Sequence, residues 1–171
     1  MRHLIIPALF ALAFVTGCKP ATPPAPSTAQ PASVVRYSSD ASFDNVVEDL
    51  QHAIVAKGLV VDNVSYIGKM LDRTGKDVGS TQPIFADGHA QSFSFCSAVL
   101  SRKTMEVDPN NIAFCPYTIV VYSPASEPKK VYVAYRRPVL NEGSDASRTV
   151  LKEVDALLDS IVREALRLPA A

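Results

Sequence analysis

Tryptophan is absent from the chain, glycine occurs only seven times, and no run of twenty apolar residues goes uninterrupted. A protein with several membrane-crossing helices is therefore excluded. A positive excess is missing too, because 17 Lys+Arg meet 17 Asp+Glu over 171 residues. General phosphate binding needs such an excess, so no nucleic-acid partner is expected. There is no HExxH, no GxSxG, no glycine-rich phosphate loop and no CxxC. Zinc hydrolysis and nucleophilic hydrolysis thus have no visible apparatus, and no catalytic residue, cofactor or metal is expected. What the chain does have is 47% apolar and 20% charged residues, which suffices for a buried core and argues against disorder. Its length allows one ordinary domain plus an extra segment.

The extra segment is at the N-terminus. Arg2 and His3 form a short positive start, Leu4 to Val15 carry no charge, and Val15-Thr16-Gly17-Cys18 follow. This is the layout of an export signal over residues 1–17, with an apolar stretch too short to span a bilayer stably. Its end resembles the bacterial lipobox, which implies cleavage before Cys18, lipidation of that thiol and a membrane anchor built from acyl chains. Lys19, rather than Asp, implies onward sorting to an outer membrane, with the domain facing the periplasm. Residues 19–33 hold five prolines and no large apolar side chain. Such a segment cannot offset its ordering entropy by burial, so 18–33 reads as a lipidated cysteine followed by an extended tether of roughly 45 Å at full stretch.

From residue 34 the pattern changes to that of a folded domain, 34–171. Val34, Val35 and Tyr37 read as a short strand. Ser42 caps a predicted helix over 43–57, with Phe43, Val46, Val47, Leu50 and Ile54 on one face and Gly58 as the stop. Leu59–Ile67 is β-rich, 68–76 allows one or two helical turns, and Ala90–Cys96 alternates serine with phenylalanine as a half-buried strand does. Residues 97–112 suit a short helix and loop, with a turn at Asp108-Pro109-Asn110-Asn111. Tyr117–Tyr122 and Val131–Tyr135 form a predicted hairpin, and Ser144 caps a long helix striped by Val150, Leu151, Val154, Leu157, Leu158, Ile161 and Leu166. Short turns and two long helices predict an α+β fold of two layers: a mostly antiparallel sheet with both main helices on one face.

The segments Phe43-Asp44-Asn45-Val46-Val47, Ala56-Lys57-Gly58-Leu59-Val60-Val61, Phe95-Cys96-Ser97-Ala98, Phe114-Cys115-Pro116-Tyr117 and Val131-Tyr132-Val133-Ala134-Tyr135-Arg136-Arg137-Pro138 resemble the family called domain of unknown function 302. The resemblance spans most of residues 34–167. It implies a small α+β domain in strand, helix, four strands, helix order. It implies no reaction, cofactor or catalytic set.

With Cys18 committed to lipid, Cys96 and Cys115 form an even pair in a compartment that permits disulfides. One closes a predicted strand and the other precedes the next long one, so antiparallel neighbours would bring them together. A structural disulfide is the leading reading. Two free buried thiols and a reactive or metal-binding pair stay open, the last with only Met105 and His89 as further soft ligands. His52 reads as an ordinary helix residue, and His89 in Asp87-Gly88-His89 as part of a surface turn. Lys129, Lys130, Arg136 and Arg137 could form an anion-binding edge, or simply guard the edge of the sheet. Tyr117, Tyr122, Tyr132 and Tyr135 read as core and sheet packing.

Two functions follow. The first is a lipid-anchored envelope module, not an enzyme, that binds a small ligand or another envelope protein in a groove between the sheet and the helices. A filled core there would shift the weight to surface recognition. The alternative is a thiol-dependent redox or metal-handling protein that uses Cys96 and Cys115.

Overall fold

The computed structural model describes residues 33–139 and 143–170. The export signal, Cys18 and the tether up to residue 32 lie outside the described residues. The elements run β1 (Val34–Ser39), α1 (Phe43–Ala56), β2 (Val60–Ser65), α2 (Ile67–Thr74), β3 (Phe85–Cys96), α3 (Ala98–Val107), a 3-10 helix (Pro109–Phe114), β4 (Tyr117–Pro124), β5 (Val131–Arg136) and α4 (Asp145–Ala165). The expected strand, helix, four strands, helix order holds, with two short helices and the 3-10 turn inserted between its strands.

Local chemistry explains where the long helices begin and end. Ser42 and Ser144 accept from the amides of Asn45 and Ser147, so each hydroxyl satisfies a donor that the first helical turn leaves unpaired. Ser97 does the same for α3. Gly58, at φ +72°, takes the left-handed conformation that closes α1. Asp108 accepts from the amide of Asn110 and Pro109 opens the 3-10 helix, so the expected turn becomes a short helix whose Asn111 is buried.

All five strands pair antiparallel in the order β1-β5-β4-β3-β2. β4 and β5 make the expected hairpin, and β1 returns to the far side of β5. Lys129, Lys130, Arg136 and Arg137 therefore do not flank an edge. The edges are β1 and β2, because the N-terminal strand covers β5.

Helices α1 and α4 lie together on one face of the sheet. Leu50, Ile54, Phe93, Phe95, Ile119, Val121, Val133, Leu151, Val154 and Ile161 fill the space between the layers, each at most 1% exposed. Surface cavities open beside the end of α4, the loop after α2, and Arg136. Burial of this apolar stripe, more than helix propensity, holds the helices in place.

A polar knot ties the edge strand β1 to α4. The Tyr37 hydroxyl donates to Asp159, Arg163 Nε lies 2.6 Å from the same carboxylate, and the Arg163 guanidinium sits 5.3 Å from the centre of the Tyr37 ring. Burial alone would raise the Asp159 pKa, but the hydrogen bonds from Tyr37 and Arg163 outweigh it and hold the carboxyl below its ordinary value of 3.8. The stabilisation this gives is complete above the ordinary value and is lost as pH falls through the folded one. Acid titration of urea stability should therefore show a loss below pH 3.8 that shrinks in Asp159→Asn. An unchanged acid limb in that variant would count against the knot.

Candidate functional site

Cys96 ends β3 and is followed directly by the Ser97 cap of α3, while Cys115 leaves the 3-10 helix just ahead of β4. Phe95 pairs with Tyr117, which folds the two strand ends over one another. The sulfurs come to 3.1 Å as two free thiols, so the expected juxtaposition is present and the expected bond is not formed. Cys96 is exposed and Cys115 half-buried. Ser101 Oγ, from the first turns of α3, lies 3.2 Å from Cys115 Sγ. Although residue 96 is exposed as a whole, partial burial of its sulfur, the hydrogen bond with Cys115 and the nearby Asp62 push the thiol up to about 11. Such a shift favours the protonated thiol at neutral pH. Tyr117 is buried beside the pair, and its hydroxyl finds no hydrogen-bond partner among the described residues.

The other ligands considered for these thiols are not brought to them. His89 lies near the opposite end of β3, stacked on Phe43 with ring centroids 4.4 Å apart. It is no surface turn residue: Asp87 and Gly88 do take positive φ, at 50° and 70°, but as an irregularity inside β3 that tucks His89 against α1. Met105 is half-buried on α3, and His52 is exposed on α1 as expected. Among the described residues no three potential ligands gather for a metal.

The four basic residues do not form one site either. Lys130 pairs with Asp40 at 2.8 Å and Arg137 with Asp155 at 3.1 Å. Lys129 and Lys130 precede β5 and Arg136 and Arg137 end it, roughly 20 Å apart for a strand of this length. Arg136 stays exposed with no ion pair among the described residues.

A different basic surface arises from strand alternation. Val35 and Tyr37 of β1 face the helices, so Arg36 and Ser38 project from the opposite, open face of the sheet. There Arg36 and Arg136 are diagonal neighbours, since Arg36 pairs with Ala134. Arg36 lies 4.7 Å from the centre of the Tyr132 ring, Tyr132 stacks on Tyr122 at 5.5 Å, and Tyr122 meets the edge of Phe85 at 5.9 Å. The four tyrosines thus divide. Tyr117 and Tyr135 belong to the core, whereas Tyr122 and Tyr132 stand half-buried on the open face. On β1, β5 and β4 this face carries two arginines and no carboxylate; Glu127, from the hairpin loop, accepts from the Tyr132 hydroxyl. Sequence reading missed Arg36, although the in-out alternation of Val35-Arg36-Tyr37-Ser38 is the signal that finds it.

The family model described as domain of unknown function DUF302 matches residues 35–165. Among solved structures, the chain is similar to an uncharacterized conserved protein DUF302 from Bacillus stearothermophilus. The TM-score is 0.63 at 12% identity, over 78% of this chain and 98% of that one, a likeness of fold alone. No curated protein matches the chain.

Proposed function

The chain belongs to the DUF302 family, and from that premise we propose that it is a lipid-anchored protein of the cell envelope whose domain works by binding, without catalysis. Its partner is an acidic stretch of another envelope protein, held on the open face of the sheet. The observation that carries this reading is Arg36 set against the stacked Tyr132 and Tyr122 rings with Arg136 diagonal to it, neither arginine in an ion pair among the described residues. Arginine and tyrosine combine a large contact area with hydrogen-bonding or charged groups, and they dominate the energetics of protein interfaces. The filled core favours surface recognition over an internal ligand groove. Val15-Thr16-Gly17-Cys18 and the proline-rich segment support a location at the membrane, with the domain held away from its surface.

The test uses the full chain in its own membrane. A photo-crosslinking residue at Ser38 should yield one discrete protein adduct, while the same probe at the exposed Glu48 on α1 should not. The adduct should fall by about tenfold or more in Arg36→Glu/Arg136→Glu and weaken as salt screens the charges. An adduct that survives the double reversal, or one made with lipid only, would sink the acidic-partner reading. Labelled palmitate should enter the wild type and not Cys18→Ser; label retained in the variant would remove the anchor.

A further inference from the structure

We infer that Cys96 and Cys115 form a reversible dithiol/disulfide site that clasps the base of the insertion 97–114, with Cys96 as the sulfur that exchanges with outside disulfides and dithiols. The inference needs neither the anchor nor the partner proposed above.

Four observations support it. First, the sulfurs at 3.1 Å are within about 1 Å of bonded separation, and hydrogen-bonded backbone holds both. Cys96 is paired across β2 with Val60, and the Cys115 amide donates to the Ile112 carbonyl. Second, access is unequal: Cys96 is exposed and Cys115 half-buried. Third, the Ser101 hydroxyl beside Cys115 Sγ can donate to that sulfur when it carries charge. Fourth, the pair stands at the two ends of a defined unit. Residues 97–114 comprise α3 and the 3-10 helix, which rest on α4 through Lys103 and Glu153 at 2.6 Å and through Asn111 Nδ2, 3.2 Å from Ser147 Oγ. Those contacts keep the insertion seated when the thiols are reduced. The bond adds a covalent tie at its base.

The chemistry is thiol–disulfide exchange, and the oxidant is a disulfide supplied from outside, either a small molecule or a protein. The Cys96 thiolate attacks one sulfur of that disulfide, breaking its S–S bond and releasing one thiol. Cys115 then attacks Cys96 Sγ in the mixed disulfide and releases the second. Two S–H bonds are lost, one S–S bond forms between Cys96 and Cys115, and the oxidant leaves as two thiols carrying two electrons and two protons. Reduction reverses the order. An outside dithiol attacks the Cys96 sulfur, which belongs to the more exposed residue of the pair, and Cys115 departs as a thiolate beside Ser101. Because the Cys96 thiol is pushed up to about 11, its reactive form is scarce at neutral pH and the first step is slow without a catalyst.

The test equilibrates the native full chain with dithiothreitol in varying ratios of its oxidised and reduced forms, with peptide mapping and amide exchange as readouts. A peptide linking Cys96 to Cys115 should appear in one transition and disappear again on reduction of the folded protein. Amide exchange across 97–114 should slow by about threefold or more on oxidation, with α1 unaffected. The initial rate of reaction with a small disulfide should rise about tenfold per pH unit between neutrality and mild alkali. In Cys115→Ser, a mixed disulfide should accumulate on Cys96. Four results would overturn the inference: no linked peptide; a bond that opens only after unfolding; unchanged exchange over 97–114; or faster mixed-disulfide formation on Cys115 in Cys96→Ser than on Cys96 in Cys115→Ser.

Discussion

Phe93→Ala should lower the free energy of unfolding by about 3–5 kcal/mol. Phe93 has no exposed surface, and its strand neighbours are Val64 on β2 and Ile119 on β4. The helices opposite contribute Leu50, Ile54 and Ile161, all likewise without exposure. Removing the ring takes away its transfer free energy and leaves a cavity that strands paired on both sides cannot close. Urea unfolding measures the loss. Val99→Ala, at 77% exposure on α3, is the control and should change stability by less than about 0.5 kcal/mol. A Phe93→Ala loss below about 1 kcal/mol would mean that the layers collapse onto the vacated space.

The second large effect is local detachment. A Cβ on Gly68 would stand 2.2 Å from the Gly88 carbonyl oxygen and 3.0 Å from the Ala90 amide nitrogen, and these are backbone atoms, which yield less readily than the end of a flexible side chain. Gly68 is also the buried residue of α2, so the helix seats on β3 at the point where the new methyl group would collide. An eight-residue helix has little stability of its own. Gly68→Ala should therefore cost about 1–3 kcal/mol and raise amide exchange throughout 67–74 while the core stays protected. Gly58→Ala makes the comparison. It meets open space but must hold φ +72°, so its cost, about 1–2 kcal/mol, is backbone strain and leaves α2 in place. Equal exchange over 67–74 in both variants would refute the seating.

Most of the element boundaries were legible because each had a cause within a few residues. Ser42, Ser144 and Gly58 act on their own helix, and the Ser92–Phe95 alternation states which side of β3 is inside. The residues that went unread depend on partners far along the chain. Asp87-Gly88 carries the composition of a turn, and only the pairing of β3 with β4 makes it an irregularity within a strand. Lys129, Lys130, Arg136 and Arg137 look like a cluster on paper, but an intervening strand separates them and carboxylates from β1's end and α4 claim two of them. Arg36 gains its aromatic neighbours only because β1 lies against β5. The thiol pair was foreseeable, since strand ends that adjoin in an antiparallel sheet bring flanking residues together.

The position of β1 bears on how the molecule is made. Val34 pairs with Arg136, so the first strand to be synthesised waits for the last strand before it has a ladder to join. A pairing of such high contact order is slow, because a long loop must close before any hydrogen bond forms. β2, β3 and β4 are adjacent in the sheet and nearer in sequence, and they can assemble first. During that interval β1 is an unpaired strand segment and β5 an unfilled edge, the two surfaces through which nascent copies would adhere to one another. Arg36 and Arg136 put one positive charge on each of those strands, the kind of residue that discourages pairing between exposed edges.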